Sequence, residues 1–224
     1  AHMPETVLDA LCYEEMLAAQ PSDFPWRDLS EETASGLCYT SGTTGHPKGA
    51  LYSHRSTVLH AMQVPLCQTS SFRAGARILP VVPMFHVNAW GLPYTAPLTG
   101  MTLVMPGPHL DGPSLFRVME SESVYSAWGV PTVWAGLLAE IEAKGRAPRG
   151  FGDLVVGGSA APRVMIEAYE ARGVNVAQAW GMTEMSPIGT HGMLPAALDD
   201  SPQAERIAAK CCAGRRLFGL EFKI

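Results

Sequence analysis

Six short apolar runs punctuate the chain, at residues 36–39, 78–82, 102–105, 124–128, 154–156 and 174–177. Runs of this length suit buried strands, and stretches of about ten to fifteen residues with helical spacing separate several of them. Residues 53–67 carry Val58, Leu59, Met62 and Leu66 at helical spacing. Pro131 and Pro162 stand where the first turns of helices over 132–143 and 163–172 would lie. Nearly unbroken apolar strands alternating with helices predict an α/β fold in which parallel β-sheets are flanked by helices on both faces. Residues 199–210 read as a polar, partly helical connector, and the closing LFGLEFKI alternates like a strand whose partners lie outside this chain. Ala1, His2 and Met3 look like a vector remnant. The expected organisation is thus an α/β core over 4–198 and, over 199–224, a connector with the first strand of a truncated β subdomain.

Composition excludes some classes of function. With 224 residues, 47% hydrophobic and 17% charged, the chain can bury a sizeable core in one large or two small domains. A net charge of -5 gives no basic footprint for nucleic acid. The five cysteines are odd in number and lack CxxC spacing, which argues against a disulfide framework or zinc site and for a reducing, cytoplasmic setting. Between Arg77 and Asp111 there is no Asp, Glu, Lys or Arg, a length that could cross a bilayer. Pro80, Pro83, Pro93, Pro97, Pro106 and Pro108 interrupt it, so no transmembrane segment is expected.

The stretch YTSGTTGHPKG, Tyr39 to Gly49, follows the first strand. Its glycines leave backbone N–H groups open, its hydroxyls can turn inward and Lys48 adds a cation, which is what a loop wrapping a polyphosphate needs. The Walker A pattern fails here. Gly42 would require glycine at 47 and Ser or Thr at 49, where the chain has Pro47 and Gly49.

This stretch resembles the phosphate-loop signature of the adenylate-forming (ANL) superfamily. PMFHVNAWGLPY (83–94), VVGGSAAPR (155–163) and QAWGMTEMSP (178–187) resemble later blocks of that family in the right order, and their details are most similar to the medium- and long-chain fatty acyl-CoA synthetases. The resemblance implies the large N-terminal domain core of such a synthetase. It also implies its chemistry: a carboxylate attacks the α-phosphorus of ATP, giving acyl-AMP and pyrophosphate, and coenzyme A then displaces AMP. By resemblance, Thr40, Ser41, Gly42, Thr43, Thr44, Gly45 and Lys48 hold the β and γ phosphates. Thr183 and Glu184 complete the ATP site, with Glu184 and Thr40 as the Mg²⁺ positions. Trp180 stacks on adenine, Gly158, Ser159, Ala160, Gln178, Ala179 and Gly181 supply small side chains and backbone edges, and His86 faces the α-phosphate and carboxylate. Val87 lies near ATP, while Trp90 gates an acyl tunnel walled by the uncharged segment 78–110. His86 and Trp90 share a face if their segment is helical. The catalytic set is therefore His86, Lys48, Thr183 and Glu184, and the cofactors are ATP, Mg²⁺ and coenzyme A.

Read alone, a Thr-Glu pair is a helix-start device, a lone tryptophan is core and a lone histidine is a hydrogen-bonded core residue. The surrounding motifs are what favour the other readings. Amino-acid-activating relatives place an acid near the aromatic block to pair the substrate ammonium, and none occurs from Ile78 to Leu110. Burying that ammonium unpaired would cost several kcal/mol. Against the family pattern the chain lacks an N-terminal portion, a Thr-Gly-Asp block, a hinge and a small C-terminal domain with its lysine. It therefore reads as an internal fragment, a homodimer being possible in the full-length parent. Without that lysine, worth about 3 kcal/mol or more at the transition state, the fragment alone is expected to make little or no acyl-AMP. Two alternatives stand beside the ligase: a non-catalytic adenylate-binding module, and a ligase for an aryl or thioether acid. Retention of Lys48, His86, Thr183 and Glu184 speaks against the first.

Overall fold

The computed structural model describes residues 10–41, 45–67 and 71–223. The chain divides into two units, the first ending at Ser30. That unit holds the short helix α1 (Tyr13–Ala18), none of whose residues is buried, and an edge-to-face pair of Phe24 and Trp26 with ring centres 5.1 Å apart.

The second unit is built on a seven-stranded sheet. Strands β3 (Arg77–Pro80), β4 (Thr102–Leu103), β5 (Ser126–Gly129), β6 (Asp153–Val156) and β7 (Asn175–Gly181) run parallel in the order β4-β3-β5-β6-β7. Two antiparallel strands, β8 (Ile188–His191) and β9 (Arg215–Arg216), extend the sheet past β7. Side chains alternate across the central strands as the pleat requires. Leu79, Ala127, Leu154, Val156 and Val176 pack with buried residues of α5 (Gly112–Ser121), α6 (Pro131–Lys144) and α7 (Arg163–Glu170). Ile78, Trp128, Val155 and Ala177 face the other way, onto Val64 of α2 (His54–Cys67) and Leu92 and Ala96 of α4 (Leu92–Thr99). Each large aliphatic side chain so buried contributes about 1.5–3 kcal/mol.

Local chemistry fixes the helix ends. Asp111 caps α5 by accepting from the Ser114 amide at 3.0 Å, Pro131 opens α6 and Gly145 ends it at φ 69°. Two buried polar groups on this face are paired: Trp134 Nε1 donates to the Val155 carbonyl and the Tyr169 hydroxyl to the Trp134 carbonyl.

Several expectations are corrected. The run at 36–39 lies in β1 (Ala34–Thr40), which joins no parallel sheet and pairs antiparallel with β2 (Lys48–Ser53) in a largely exposed hairpin. In α2 the apolar stripe Val58, Leu59, Met62 and Leu66 is exposed, and His60, Ala61 and Val64 face inward. After β9 the chain makes a turn containing Gly219 at φ 79°, and Ile224 lies outside the described residues; the strand expected over 217–224 needs partners beyond this chain. Among the described residues, no helix is long and apolar enough to cross a membrane. The uncharged segment 78–110 instead folds as β3, a one-turn element α3 (Val87–Trp90), α4 and β4.

Candidate functional site

The carboxyl ends of β6 and β7 open into a cleft of about 220 Å³. Clefts at this end of parallel strands are where open α/β sheets bind ligands. One wall is His86, Val87 and Trp90, the floor is Gly157 and Gly158 just after β6, and the other wall runs from Ala179 through Thr183 to Pro187 and Ile188. The floor must be glycine. A Cβ on Gly157 would stand 2.7 Å from the Trp90 ring and 3.2 Å from the Ala179 carbonyl. Gly181 is as constrained, for a Cβ there would meet the Pro187 carbonyl oxygen at 2.0 Å where β7 turns back toward β8. Trp180 is 43% exposed, with its ring 5.8 Å from that of Phe222.

The His86 wall has an uncommon backbone. Val87, Asn88, Ala89 and Trp90 lie at φ 45°, 51°, 48° and 56°, so α3 is one turn of left-handed helix made without glycine. Each such residue costs about 1–2 kcal/mol. Burial of Val87, Ala89 and Trp90 offsets that cost, and the Ala89 amide donates to the Pro83 and His86 carbonyls at 3.3 and 3.2 Å. Asn88 Oδ1 accepts from Cys38 Sγ at 3.7 Å. His86 and Trp90 therefore reach the cleft through a left-handed turn and not along one face of a right-handed helix.

Behind the cleft, His60 of α2 accepts the Ile188 amide on Nε2 at 3.2 Å. Burial pulls its pKa down to about 4, so the ring is neutral with its proton on Nδ1. Gly91 leaves the room, since a Cβ there would lie 2.7 Å from that Nδ1. The Tyr52 hydroxyl of β2 donates to the Thr183 carbonyl.

A family model described as AMP-binding enzyme matches residues 3–224. The chain belongs to the AMP-binding enzymes. It is 49% identical over 215 residues to a medium-chain-fatty-acid–CoA ligase of Ectopseudomonas oleovorans, 46% over 220 to a 3-methylmercaptopropionyl-CoA ligase of Ruegeria pomeroyi and 44% over 204 to a long-chain-fatty-acid–CoA ligase of Thermus thermophilus. These alignments take in 96%, 95% and 91% of this chain but 39%, 40% and 37% of those proteins, so the chain spans about two fifths of the length of the relatives it matches. Among solved structures, the inhibitor-bound N-terminal domain of FACL13 from Mycobacterium tuberculosis matches 92% of this chain with a TM-score of 0.75 at 25% identity, covering 48% of that domain. O-succinylbenzoate coenzyme A synthetase from Bacillus subtilis in complex with AMP shares the fold, with a TM-score of 0.76 at 23% identity over 95% of this chain and 41% of that protein.

Eight residues expected at the site in this AMP-binding chain line one cleft: His86, Val87, Trp90, Gly158, Ala179, Trp180, Gly181 and Thr183. Ser159 and Ala160 are exposed beside Gly158, and Glu184 is exposed in the 3₁₀ turn Thr183–Met185. The Gln178 side chain is buried and occupied, accepting from the Ala161 amide at 2.7 Å and donating to the Lys210 carbonyl at 3.0 Å, and its own carbonyl accepts from the Gly192 amide at 2.7 Å. Thr40 and Lys48 face each other across the hairpin as the pair that closes the loop, with Ser41, Gly45 and Lys48 exposed; none of these lines the cleft. Gly42, Thr43 and Thr44 lie outside the described residues. Sequence reasoning missed Gly157, Met182, Pro187 and Ile188, although the doubled glycine after an apolar strand was a signal for the first. No sequence signal marked Tyr52 or His60, whose roles depend on contacts to residues more than a hundred positions away.

Proposed function

We propose that the protein is an ATP-dependent CoA ligase for medium- or long-chain fatty acids, and that this chain is its nucleotide- and acyl-binding core. The observation that carries the reading is the cleft, where three separate motifs bring an aromatic ring, a glycine floor, a hydroxyl and an imidazole to the carboxyl ends of one sheet. Trp180 is an exposed face for adenine to stack on, and Gly158 lets the base approach the backbone. The loop closed by Thr40 and Lys48 supplies N–H groups and a cation to the β and γ phosphates. Mg²⁺ fits the donors present: Glu184 is an exposed hard-oxygen ligand with Thr40 as its assigned companion, and the ion completes its shell with phosphates and water. Bound there, the ion would shield phosphate charge.

His86, exposed at the cleft wall, donates a hydrogen bond where the carboxylate and α-phosphate meet, offsetting charge as the oxygen attacks phosphorus and pyrophosphate leaves. In the second half-reaction the sulfur of coenzyme A attacks the acyl carbonyl and AMP departs. Val87 and Trp90 form the apolar side of the cleft, next to which the acyl chain runs. The 46% identity to a methylmercaptopropionyl-CoA ligase favours a thioether acid as a second substrate reading.

The test is calorimetric titration of this chain with non-hydrolysable acyl-adenylate analogues of graded acyl length, with an amino-acyl analogue as control. Affinity should rise with apolar length while the amino-acyl compound fails. A preference for the thioether-length analogue selects the second reading, and failure of every analogue to bind the folded chain overturns both.

A further inference from the structure

The hairpin of β1 and β2 carries the loop assigned to the phosphates, yet it is mostly exposed and stands apart from the main sheet. Each of its strands has one buried residue, Cys38 in β1 and Tyr52 in β2. Both are used as ties. Cys38 donates from Sγ to Asn88 in the left-handed turn, and the Tyr52 hydroxyl donates to the carbonyl of Thr183. Thr183 opens the 3₁₀ turn whose next residue is Glu184. Tyr52 is on the strand that begins at Lys48, itself paired with Thr40 across the loop, so both ends of the loop are fixed relative to the phenol. Burial raises the phenol pKa, with Cys38 adding to the rise, and the group remains an O–H donor across the physiological range.

We propose that Tyr52 is a positioning residue for ATP: its hydroxyl joins the turn bearing Glu184 to the hairpin bearing the phosphate loop, setting the separation that a triphosphate with its cation must span. The proposal rests on reading the cleft as an ATP and acyl-adenylate site. A triphosphate touches both tied parts, whereas AMP ends at its α-phosphate and engages only the cleft. Loss of the tie lets the two parts move independently, and a ligand bridging them must then order them on binding.

The experiment titrates the wild-type chain and Tyr52→Phe with ATP plus Mg²⁺ and, separately, with AMP. The variant keeps the buried ring and removes only the hydroxyl. Affinity for ATP with Mg²⁺ should fall about tenfold, and affinity for AMP should stay within about twofold. Equal affinity of the two proteins for ATP overturns the proposal. So does equal weakening for both nucleotides, which marks a purely structural role. If the wild-type chain binds neither nucleotide, the reading of the cleft fails first and the proposal falls with it. Should the variant not fold, hydrogen exchange on the wild-type chain decides: ATP with Mg²⁺, but not AMP, should protect the amides of 48–53 and 183–186 together. Protection of one segment without the other overturns the coupling.

Discussion

Trp180 stands at the open side of the cleft and is 43% exposed, whereas Trp128, Trp134 and Tyr169 in the second unit's core are fully buried. A core role would have hidden it as well. Stacking of a base on an aromatic ring is worth about 1–3 kcal/mol by alanine substitution, so Trp180→Ala should weaken adenylate binding by roughly tenfold to a hundredfold. Trp180→Tyr should restore most of it, and both are read by calorimetry. The motif QAWGMTEMSP made Trp180 and Thr183 legible as cleft positions, as VVGGSAAPR did Gly158 and PMFHVNAWGLPY did His86. The Ala161 amide and Lys210 carbonyl that take the Gln178 side chain were not legible, because its neighbours in the chain say nothing about them.

The left-handed turn is the element on which the His86 wall depends. Its sequence, VNAW, holds no glycine, and L residues visit this conformation singly and not in fours. Nothing in local propensity predicts it; burial of three of its four side chains overrides propensity. Ala89→Gly relieves about 1 kcal/mol of backbone strain and removes a buried methyl worth about 0.8 kcal/mol. Its effect on urea-denaturation stability should be near zero. Ala96→Gly, equally buried in the right-handed α4, should cost about 1 kcal/mol or more. A loss at Ala89 as large as that at Ala96 would contradict the strain account. The parallel strands were legible because strands buried on both faces need unbroken apolar runs. The hairpin was not, since β1 has the same short apolar run as a core strand and pairs instead with a neighbour across the loop. In α2 the helical period was legible and the buried face was not: His60 turns inward, where its Nε2 accepts the Ile188 amide, a partner no helical pattern reveals.

At the scale of the whole molecule, two buried imidazoles set the acid limb of stability. His60 and His191 are both held neutral by burial, which lowers each pKa to about 4; for His191, Asp153 opposes part of that fall. An unfolded histidine ionises near 6.5, so between about pH 6.5 and 4 the unfolded chain binds protons that the folded chain does not. Their contribution is complete above about pH 6.5 and is lost as the pH falls through this window, by up to ~1.4 kcal/mol per pH unit for each imidazole. Urea titrations at pH 7.5, 6.0 and 5.0 should show this decline, and His60→Gln should remove about half of the slope. A stability independent of pH across the window would exclude the buried neutral pair.

The chain spans about two fifths of its relatives' length, yet segments from residues 86–90, 157–158 and 179–188 converge on one cleft within it. Whether acyl-adenylate occupies that cleft is tested most directly by photolabelling. An acyl-adenylate analogue with a diazirine on its acyl chain should mark peptides containing Val87 to Trp90 and Gly157 to Gly158, and excess AMP should compete the label away. Labelling confined to α5 and α6, or unaffected by AMP, would contradict the assignment.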